Sequence, residues 1–325
     1  MAAPAEARKL RVFVAGHRGM VGAALLRRLQ QEPGVEVVTR TRQQLDLTRQ
    51  AEVERFFAGT PLDQVYLAAA RVGGILANDT FAGDFIRENL QIQTEVIQAA
   101  SQAGVGRLLF LGSSCIYPRD AGQPLTEEAL LTGPLEPSNE AYAVAKIAGI
   151  KMCEAYRRQF GCDFRSVMPT NLYGPNDNFD LQTSHVLPAL LRKFHQAKRD
   201  HQARVTVWGS GQPRREFLHV DDMAEACYRL MSIDQQAYWS QVPARNSQVN
   251  IGCAQDIRIA DLAGLIAEIT GFTGEIVFDT AQPDGTPRKL LDVSRARALG
   301  WRARIGLRTG IEQTYRWMVD HLGDR

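Results

Sequence analysis

Residues 10–22 decide the fold, and they read LRVFVAGHRGMVG. The first six form a short apolar and β-branched run, which is typical of a strand buried on both faces. Glycines follow at 16, 19 and 22, and apolar residues at 21, 25, 26 and 29 lie on one stripe of a helix. A strand, a glycine-rich turn and a helix in this order predict that the turn binds the phosphates of a dinucleotide. The alternative is an ordinary turn, because the spacing GxxGxxG is a weak motif by itself.

Strand and helix patterns keep alternating beyond this unit. Apolar, β-branched runs predict strands at 35–39, 65–70, 108–112 and 164–169. Amphipathic stretches predict helices at 49–58, 83–103 and 138–160. This alternation predicts an α/β fold built on a Rossmann-type doubly wound parallel sheet.

The pattern changes after residue 175. Helical patterns follow at 185–198, 258–270 and 307–322, with a short strand at 205–208 and loops rich in glycine, proline and arginine. A length of 325 residues corresponds to about two domains. We therefore expect a cofactor-binding Rossmann domain at 1–175, joined by part of 216–235, and a smaller α/β substrate-binding domain formed mainly by 176–325.

The composition excludes several classes of protein. With 45% hydrophobic and 23% charged residues the chain is neither disordered, collagen-like nor a coiled coil. A net charge of +2 without a basic block gives no case for nucleic acid as a partner. Five cysteines without CxxC spacing support neither a disulfide scaffold nor a zinc site, so we expect no metal. Residues 1–9 lack the apolar core of a signal peptide, and the apolar run at 65–77 is too short to span a bilayer. We expect a cytoplasmic protein with no membrane partner.

The end of the second strand indicates which dinucleotide binds. Enzymes that use NAD place Asp or Glu about 20 residues beyond the glycine motif, where it binds the ribose hydroxyl. Here residues 39–42 read TRTR, and the first acid is Asp46. The guanidinium of Arg42 suits a 2′-phosphate, and Arg18 within the turn offers a second contact. NADP(H) is the predicted cofactor, although arginines at a strand end can also be merely solvated.

Three side chains indicate carbonyl chemistry. Tyr142 and Lys146 are four residues apart on a predicted helix, hence on one face. Ser113 follows a predicted strand, at the edge of the sheet where α/β proteins bind ligands. A phenol has a pKa near 10, and a neighbouring ammonium would lower it. With Ser113 to hold a carbonyl oxygen, the set predicts carbonyl reduction or alcohol oxidation.

These motifs resemble the extended short-chain dehydrogenase/reductases, and within them the epimerase-reductases that act on GDP-4-keto-6-deoxy-mannose. The resemblance runs from about Arg11 to the final helix, and no motif position departs from it. The segments that carry it are GHRGMVG at 16–22, GSSCIYP at 112–118, PTNLYGP at 169–175, SHVLP at 184–188, VWGSG at 207–211 and PDGTP at 283–287.

The resemblance implies an enzyme with two stages. Protons at C3 and C5, next to the C4 ketone, are removed and returned on the opposite faces, and NADPH then delivers hydride to C4 to give GDP-L-fucose. Both stages place negative charge on the C4 oxygen, so Ser113 and Tyr142 as donors would serve both. Cys115 and His185 match the base and the acid of the epimerisation. Read alone, Cys115 would be a small core residue and His185 a surface or capping residue.

The resemblance also implies the binding residues and a homodimer. The residues matching the cofactor site are Gly16, His17, Arg18, Gly19, Met20, Val21, Gly22, Arg42, Leu111, Gly112, Ser113, Ser114, Lys146, Pro169, Thr170, Asn171, Leu172 and His185. The residues matching the nucleotide-sugar site are Lys193, Trp208, Arg215 and Asp284. Arg214, Arg288 and Lys289 add positive charge nearby, or form a solvated basic loop, and Trp208 read alone could equally belong to the core of the smaller domain.

Two other readings stay open. A sugar-nucleotide dehydratase would carry an Asp-Glu pair after the serine, where this chain has SCI at 114–116, and a 4-epimerase would favour an acid rather than Arg42. A non-catalytic NADP sensor would generally have lost Tyr142 or Lys146.

Overall fold

The computed structural model describes residues 8–181, 183–282 and 284–322. The expectation about residues 1–9 therefore falls mostly outside the described residues, as does the first position of the PDGTP motif. Within these ranges, no helix is both long enough and apolar enough to cross a membrane.

The described residues form twelve strands and eleven α-helices. The strands are β1 (Leu10–Ala15), β2 (Val35–Val38), β3 (Gln64–Leu67), β4 (Arg107–Leu111), β5 (Asp163–Pro169), β6 (Asn171–Tyr173), β7 (Arg204–Trp208), β8 (Arg214–His219), β9 (Gln248–Ile251), β10 (Asp256–Arg258), β11 (Glu275–Asp279) and β12 (Arg288–Lys289). The helices are α1 (Met20–Leu29), α2 (Gln50–Gly59), α3 (Ile75–Thr80), α4 (Ala82–Gln102), α5 (Glu140–Phe160), α6 (Val186–Arg199), α7 (Val220–Ser232), α8 (Gln235–Gln241), α9 (Ile259–Thr270), α10 (Ser294–Ala298) and α11 (Leu307–Leu322).

A six-stranded parallel sheet forms the first layer, in the order β2-β1-β3-β4-β5-β9. β1 has β2 on one side and β3 on the other, so the chain order reverses at β1. Helices α2, α4 and α5 pack on one face around a core that includes Phe13, Phe57 and Phe110, while α1 and α7 cover the other face. The crevice at the carboxyl ends of β1 and β3 is therefore where an open α/β sheet binds its ligand.

A smaller unit carries two further sheets. β8 lies between β10 and β12 and also pairs with β6, and β7 pairs with β11 in parallel. Helices α6, α9 and α11 pack around a third core that includes Phe194, Leu262 and Ile311. The chain connects this unit to the first layer at two points, because β6 follows β5 and β8 leads directly into α7.

The predicted fold class is confirmed, and all six helices predicted after the first unit agree with the structure within two residues at each end. The strand predicted at 65–70 is too long, because it ends at Leu67 and Ala68–Ala70 leave the sheet to pass over the turn at Gly16.

The second half of the chain also contributes to the first layer, since α7 packs on α1 and β9 is the sixth strand of the first sheet. The assignment of roles to 1–175 and 176–325 stays a prediction.

Candidate active site

The glycine turn after β1 is too crowded for other residues at two positions. Gly16 has a φ of +86°, and a Cβ there would lie 2.7 Å from the Cα of Ala69. A Cβ on Gly22 would lie 2.1 Å from the carbonyl oxygen of Gly16. Gly19 is the N-cap residue of α1 and has no side chain that could cap the first N–H groups of the helix. The first turn of α1 also has no acidic residue. The helix therefore presents free backbone N–H groups and its positive end toward the crevice, as a pyrophosphate requires.

Arginines surround the outer end of this crevice. Arg42 has 71% of its side chain exposed, and its guanidinium lies 3.9 Å from Asp46 and 4.0 Å from Glu88. Exposed ion pairs at such distances contribute little, so the guanidinium can take a stronger anion. Arg18 in the turn is also exposed. His17 connects the turn to the end of β2: burial and the charge of Arg18 lower the pKa of its imidazole, while a hydrogen bond with the backbone of Arg40 raises it.

The predicted reduction residues meet at the end of β4. Ser113 caps a short turn at Ser114–Ile116, and its hydroxyl accepts a 3.5 Å hydrogen bond from the backbone N–H of Cys115. Tyr142 and Lys146 stand on one face of α5, with the Lys146 Nζ 5.7 Å from the centre of the Tyr142 ring. That Nζ donates to the Leu111 carbonyl at 2.9 Å, which fixes the ammonium beneath the loop.

The electrostatics of this cluster differ in part from the expectation. Burial lowers the pKa of Lys146 to about 8, and the neighbouring Cys115 thiolate would oppose that shift. Burial followed by repulsion from Cys115 raises the pKa of Tyr142, whereas the sequence predicted that Lys146 lowers it. The reason is that desolvation outweighs the ammonium, whose proton is directed at the Leu111 carbonyl. In this state Tyr142 is a neutral hydrogen-bond donor.

Cys115 and His185 come from two different elements, the short turn after β4 and the start of α6. Cys115 is 8% exposed, and burial raises the pKa of its thiol, opposed by the charge of Lys289, a hydrogen bond with Ser113 and the charge of Lys146. His185 is the N-cap residue of α6, yet its side chain makes no capping hydrogen bond. Burial and the charge of Lys289 lower the pKa of its imidazole. The imidazole is therefore not used for capping.

The remaining predicted cofactor residues lie at the carboxyl ends of β4 and β5. Gly112 passes close to β5, where a Cβ would lie 2.2 Å from the Met168 side chain. Thr170 Oγ1 and Asn171 Nδ2 donate to the Glu216 carbonyl at 3.2 Å and 2.8 Å. These bonds hold the segment between β5 and β6 against β8, beside the crevice. The other members of this group are Leu111, Ser114, Pro169 and Leu172.

The predicted nucleotide-sugar residues line the smaller unit. Trp208 is 65% exposed, so the alternative that it belongs to the core is wrong. The Lys193 Nζ lies 5.4 Å from the centre of the Trp208 ring and donates to the Thr206 carbonyl at 3.3 Å. Asp284 accepts from the Ser210 N–H at 2.6 Å and from the Ser210 hydroxyl at 2.7 Å. Asp284 thus joins two loops, and it does so beside the exposed indole.

Four basic residues of β8 and β12 separate into two kinds. Arg214 donates to Asp256 at 2.7 Å, and Arg288 forms a short ion pair with the same carboxylate. Arg215 is half-buried, and burial lowers the pKa of its guanidinium while Asp284 raises it. Asp256 therefore offsets one of the two positive charges of Arg214 and Arg288, whereas Arg215 and Lys289 occupy the next positions of their strands, on the opposite face.

Sequence reasoning missed the role of Glu216, a carboxylate with 0% exposure. It accepts from the backbone N–H of Ala254 at 2.7 Å and of Leu291 at 3.0 Å, and burial raises its pKa against these bonds. An acid directly before the apolar pair of this strand, in RREFLH at 214–219, is the signal that could have found it.

The match to known proteins agrees with this geometry. Residues 12–252 match the model of the NAD dependent epimerase/dehydratase family. The chain belongs to the NAD-dependent epimerase/dehydratase family. Within this family it is 55% identical to the GDP-L-fucose synthase of Escherichia coli (strain K12) over 313 residues, which are 96% of this chain and 98% of that protein. It is 54% identical to GDP-L-fucose synthase 1 of Arabidopsis thaliana, over 97% of this chain and 95% of the relative.

Two solved structures share the fold over nearly the whole chain. A GDP-6-OMe-4-keto-L-xylo-heptose reductase from C. jejuni superposes with a TM-score of 0.88 at 38% identity, covering 96% of this chain and 98% of that one. A GDP-L-fucose synthetase from Naegleria fowleri bound to NADP superposes with a TM-score of 0.87 at 26% identity, covering 98% and 96%.

Proposed function

We propose that this enzyme catalyses the NADPH-dependent 3,5-epimerisation and 4-reduction of GDP-4-keto-6-deoxy-D-mannose to GDP-L-fucose. The proposal is supported by relatives more than half identical along the full chain. The single observation that carries it is the placement of a buried thiol, Cys115, within the same cluster as Ser113, Tyr142 and Lys146. A carbonyl reductase needs only the last three, so the thiol points to additional chemistry at the carbons next to the carbonyl.

The crevice fits NADP(H). The backbone approach that only glycine permits at 16 and 22, the uncapped N-terminus of α1 and the weakly paired Arg42 suit a pyrophosphate and a 2′-phosphate. Arg18 would share the 2′-phosphate, and the ends of β4 and β5 would hold the nicotinamide half. When bound, the cofactor supplies hydride for the reduction.

Epimerisation assigns opposite roles to two side chains. Cys115, as thiolate, removes the proton from the carbon next to the ketone and becomes a thiol. His185, as imidazolium, returns a proton to the other face and becomes neutral. Ser113 and Tyr142 donate hydrogen bonds to the oxygen on which the charge develops, because a phenol with a raised pKa keeps its proton during this stage and can donate it in a hydrogen bond.

Reduction uses the same donors. Charge again develops on the C4 oxygen, and Tyr142 supplies the proton that completes the alcohol. Lys146 lies beneath the phenol, and its ammonium stabilises the phenolate that this transfer leaves behind. With a pKa of about 8 the ammonium is mostly protonated at neutral pH.

The nucleotide half of the substrate is assigned to the smaller unit. Arg215 presents a partly desolvated guanidinium for the diphosphate, and Lys193 adds a second cation. Trp208 offers an exposed ring face for packing. Asp284 is committed to Ser210, so its contribution is to hold the loop that follows Trp208. The choice of GDP over other nucleotides rests on the relatives.

We also propose a homodimer in the cytoplasm. Helices α4 and α5 pack side by side and leave apolar residues such as Val144, 40% exposed, on their outer surface. All five cysteines are free, as expected for a reducing compartment.

To test this function, purified protein is mixed with GDP-4-keto-6-deoxy-D-mannose and NADPH. The oxidation of NADPH is followed by the loss of its absorbance, and the sugar product is identified by NMR. We expect oxidation of NADPH with GDP-L-fucose as product. A reduced but unepimerised sugar would leave a C4 reductase and remove the roles of Cys115 and His185. Binding of NADPH without turnover of any keto sugar nucleotide would favour the sensor.

A further inference from the structure

The loop 71–74, which reads RVGG and lies between β3 and α3, contacts the surroundings of two proposed catalytic residues. A Cβ on Gly73 would lie 3.2 Å from the buried ring of Phe85. That ring meets the Tyr142 ring edge to face, with 6.4 Å between the ring centres. On one side, the loop therefore packs against the aromatic pair that contains the phenol of the reduction.

On its other side the loop contacts the segment that leads into α6. The Gly74 N–H donates to the Thr183 carbonyl at 3.2 Å. A Cβ on Gly74 would lie 3.2 Å from the Ser184 carbonyl oxygen and 3.3 Å from that of Thr183. His185, the N-cap residue of α6, follows directly. The loop thus touches the backbone immediately before the residue that carries the imidazole.

Two buried asparagines hold the loop 71–74 in place. Asn78 donates from Nδ2 to the carbonyls of Gly73 at 2.7 Å and Gly74 at 3.0 Å. Asn89 accepts from the Arg71 N–H at 3.0 Å and donates to the Arg71 carbonyl at 3.0 Å. Both ends of the loop are therefore bonded to side chains of helices, one on α3 and one on α4.

The segment that the loop contacts is also held by hydrogen bonds of its own. The Asp180 carboxylate accepts from the N–H and from the hydroxyl of Thr183, each at 2.9 Å. The Asp180 carbonyl accepts from the Ser184 N–H at 3.0 Å, and Asn178 Nδ2 donates to the Thr183 hydroxyl at 2.9 Å. These bonds lie within 178–184, so they fix the shape of the segment. The contact with Gly74 supplies its position relative to the first layer.

We propose that the loop 71–74 sets the distance between Tyr142 and His185, which makes Gly74 and Asn78 positioning residues for the epimerisation. This inference rests on the proposed function. Epimerisation needs a donor at the ketone oxygen and an acid at the neighbouring carbon at the same moment, and these two groups come from α5 and from the start of α6. Hydride transfer does not need the imidazole. A displacement of His185 should therefore slow proton exchange more than it slows hydride transfer.

Gly74→Ala tests the contact directly. Its Cβ would press on two carbonyl oxygens at distances below ordinary contact, so that the segment must give by a few tenths of an ångström. With NADP⁺ bound and in deuterated water, we expect deuterium incorporation at C3 and C5 of the 4-keto sugar nucleotide to slow roughly three- to tenfold. Oxidation of GDP-L-fucose by NADP⁺ moves a hydride from C4 without epimerisation. Its single-turnover rate should change by less than about twofold.

Asn78→Asp is the second variant, because it keeps the size of the side chain and replaces the Nδ2 donor by an oxygen that the same two carbonyls repel. It should slow deuterium incorporation at least about tenfold. Gly83→Ala is the matched control for Gly74→Ala, since a Cβ there meets nothing within 4 Å. Asp79→Asn controls for the change of charge, because Asp79 is an exposed residue of the same helix. Both controls should keep both rates.

Thermal melting and NADPH titration establish that each variant is folded. Deuterium incorporation at the wild-type rate in folded Gly74→Ala or Asn78→Asp overturns the inference. Equal slowing of incorporation and of hydride transfer also overturns it, because the loop would then act through the general stability of the site.

Amide hydrogen exchange separates this inference from the proposed function, since it needs no substrate. Mass spectrometry should show faster exchange of the peptide that covers 183–189 in Asn78→Asp than in the wild type. Unchanged amide exchange in this variant overturns the inference. A wild-type protein that forms no GDP-L-fucose removes the proposed function, while faster amide exchange in the variant still supports the role of the loop in holding this segment.

Discussion

Substituting Gly22 by alanine tests whether the turn after β1 depends on close backbone packing. The Cβ of alanine would lie 2.1 Å from the Gly16 carbonyl oxygen and 2.6 Å from its carbon, whereas ordinary contact begins near 3.4 Å. The turn would have to move by more than an ångström. Both partners are backbone, so no side chain can rotate away.

Overpacking of this kind costs about 1–3 kcal/mol. For a protein of this size we expect Gly22→Ala to lower Tm by roughly 2–5 °C. Because the same shift moves the N–H groups meant for the pyrophosphate, we expect the Kd for NADPH to rise at least tenfold.

Gly34→Ala is the control, since a Cβ there meets nothing within 4 Å. Thermal unfolding followed by circular dichroism gives the stability of both variants, and quenching of intrinsic fluorescence gives NADPH binding. A Gly22→Ala protein with the Tm and NADPH affinity of the wild type would refute the assignment of the turn. Weak binding in Gly34→Ala as well would show that the assay reports something other than the turn.

Three further variants address the reactive cluster and the substrate loop. Cys115→Ser should slow epimerisation by at least a hundredfold and leave NADPH binding intact; loss of NADPH binding by the folded variant would contradict the role of Cys115. Lys146→Met should abolish reduction and yet raise the free energy of unfolding at pH 7 by about 2 kcal/mol. Burial lowers the pKa of Lys146 from 10.5 to about 8, which costs the folded wild type about 3 kcal/mol. The variant avoids this cost but loses the hydrogen bond to the Leu111 carbonyl, which contributes about 1 kcal/mol. Because the pKa of Lys146 is lower in the folded protein, the unfolded chain binds more protons between pH 8 and 10.5. The free energy of unfolding of the wild type should therefore increase relative to that of Lys146→Met as pH rises through this window, as measured by urea titration. A difference between the two proteins that does not change with pH would contradict a buried ammonium. Ser210→Ala should raise KM for the nucleotide sugar several-fold with kcat nearly unchanged, because it removes one of the two bonds that hold Asp284; an unchanged KM in steady-state assays would show that the loop is held without it.

The local parts of the site followed from sequence. The β1 strand, the glycine turn and helix α1 are contiguous, and their glycines and apolar stripe are visible within residues 10–29. Tyr142 and Lys146 share a face because four residues make about one helical turn. Cys115 and His185 were found only through a resemblance, since a single cysteine or histidine has no periodicity to give it away.

The sequence by itself determined the α/β class, the cofactor turn and the spacing of the reduction residues, because short-range backbone geometry dictates all three. Tertiary structure decided that β9, about eighty residues beyond β5, completes the first sheet, and that Arg214 and Arg288 share the carboxylate of Asp256. It also decided the pKa shifts of Lys146 and Tyr142, which arise from burial rather than from their spacing. Burial and long-range pairing depend on which distant segments meet, and no local pattern in the chain encodes that.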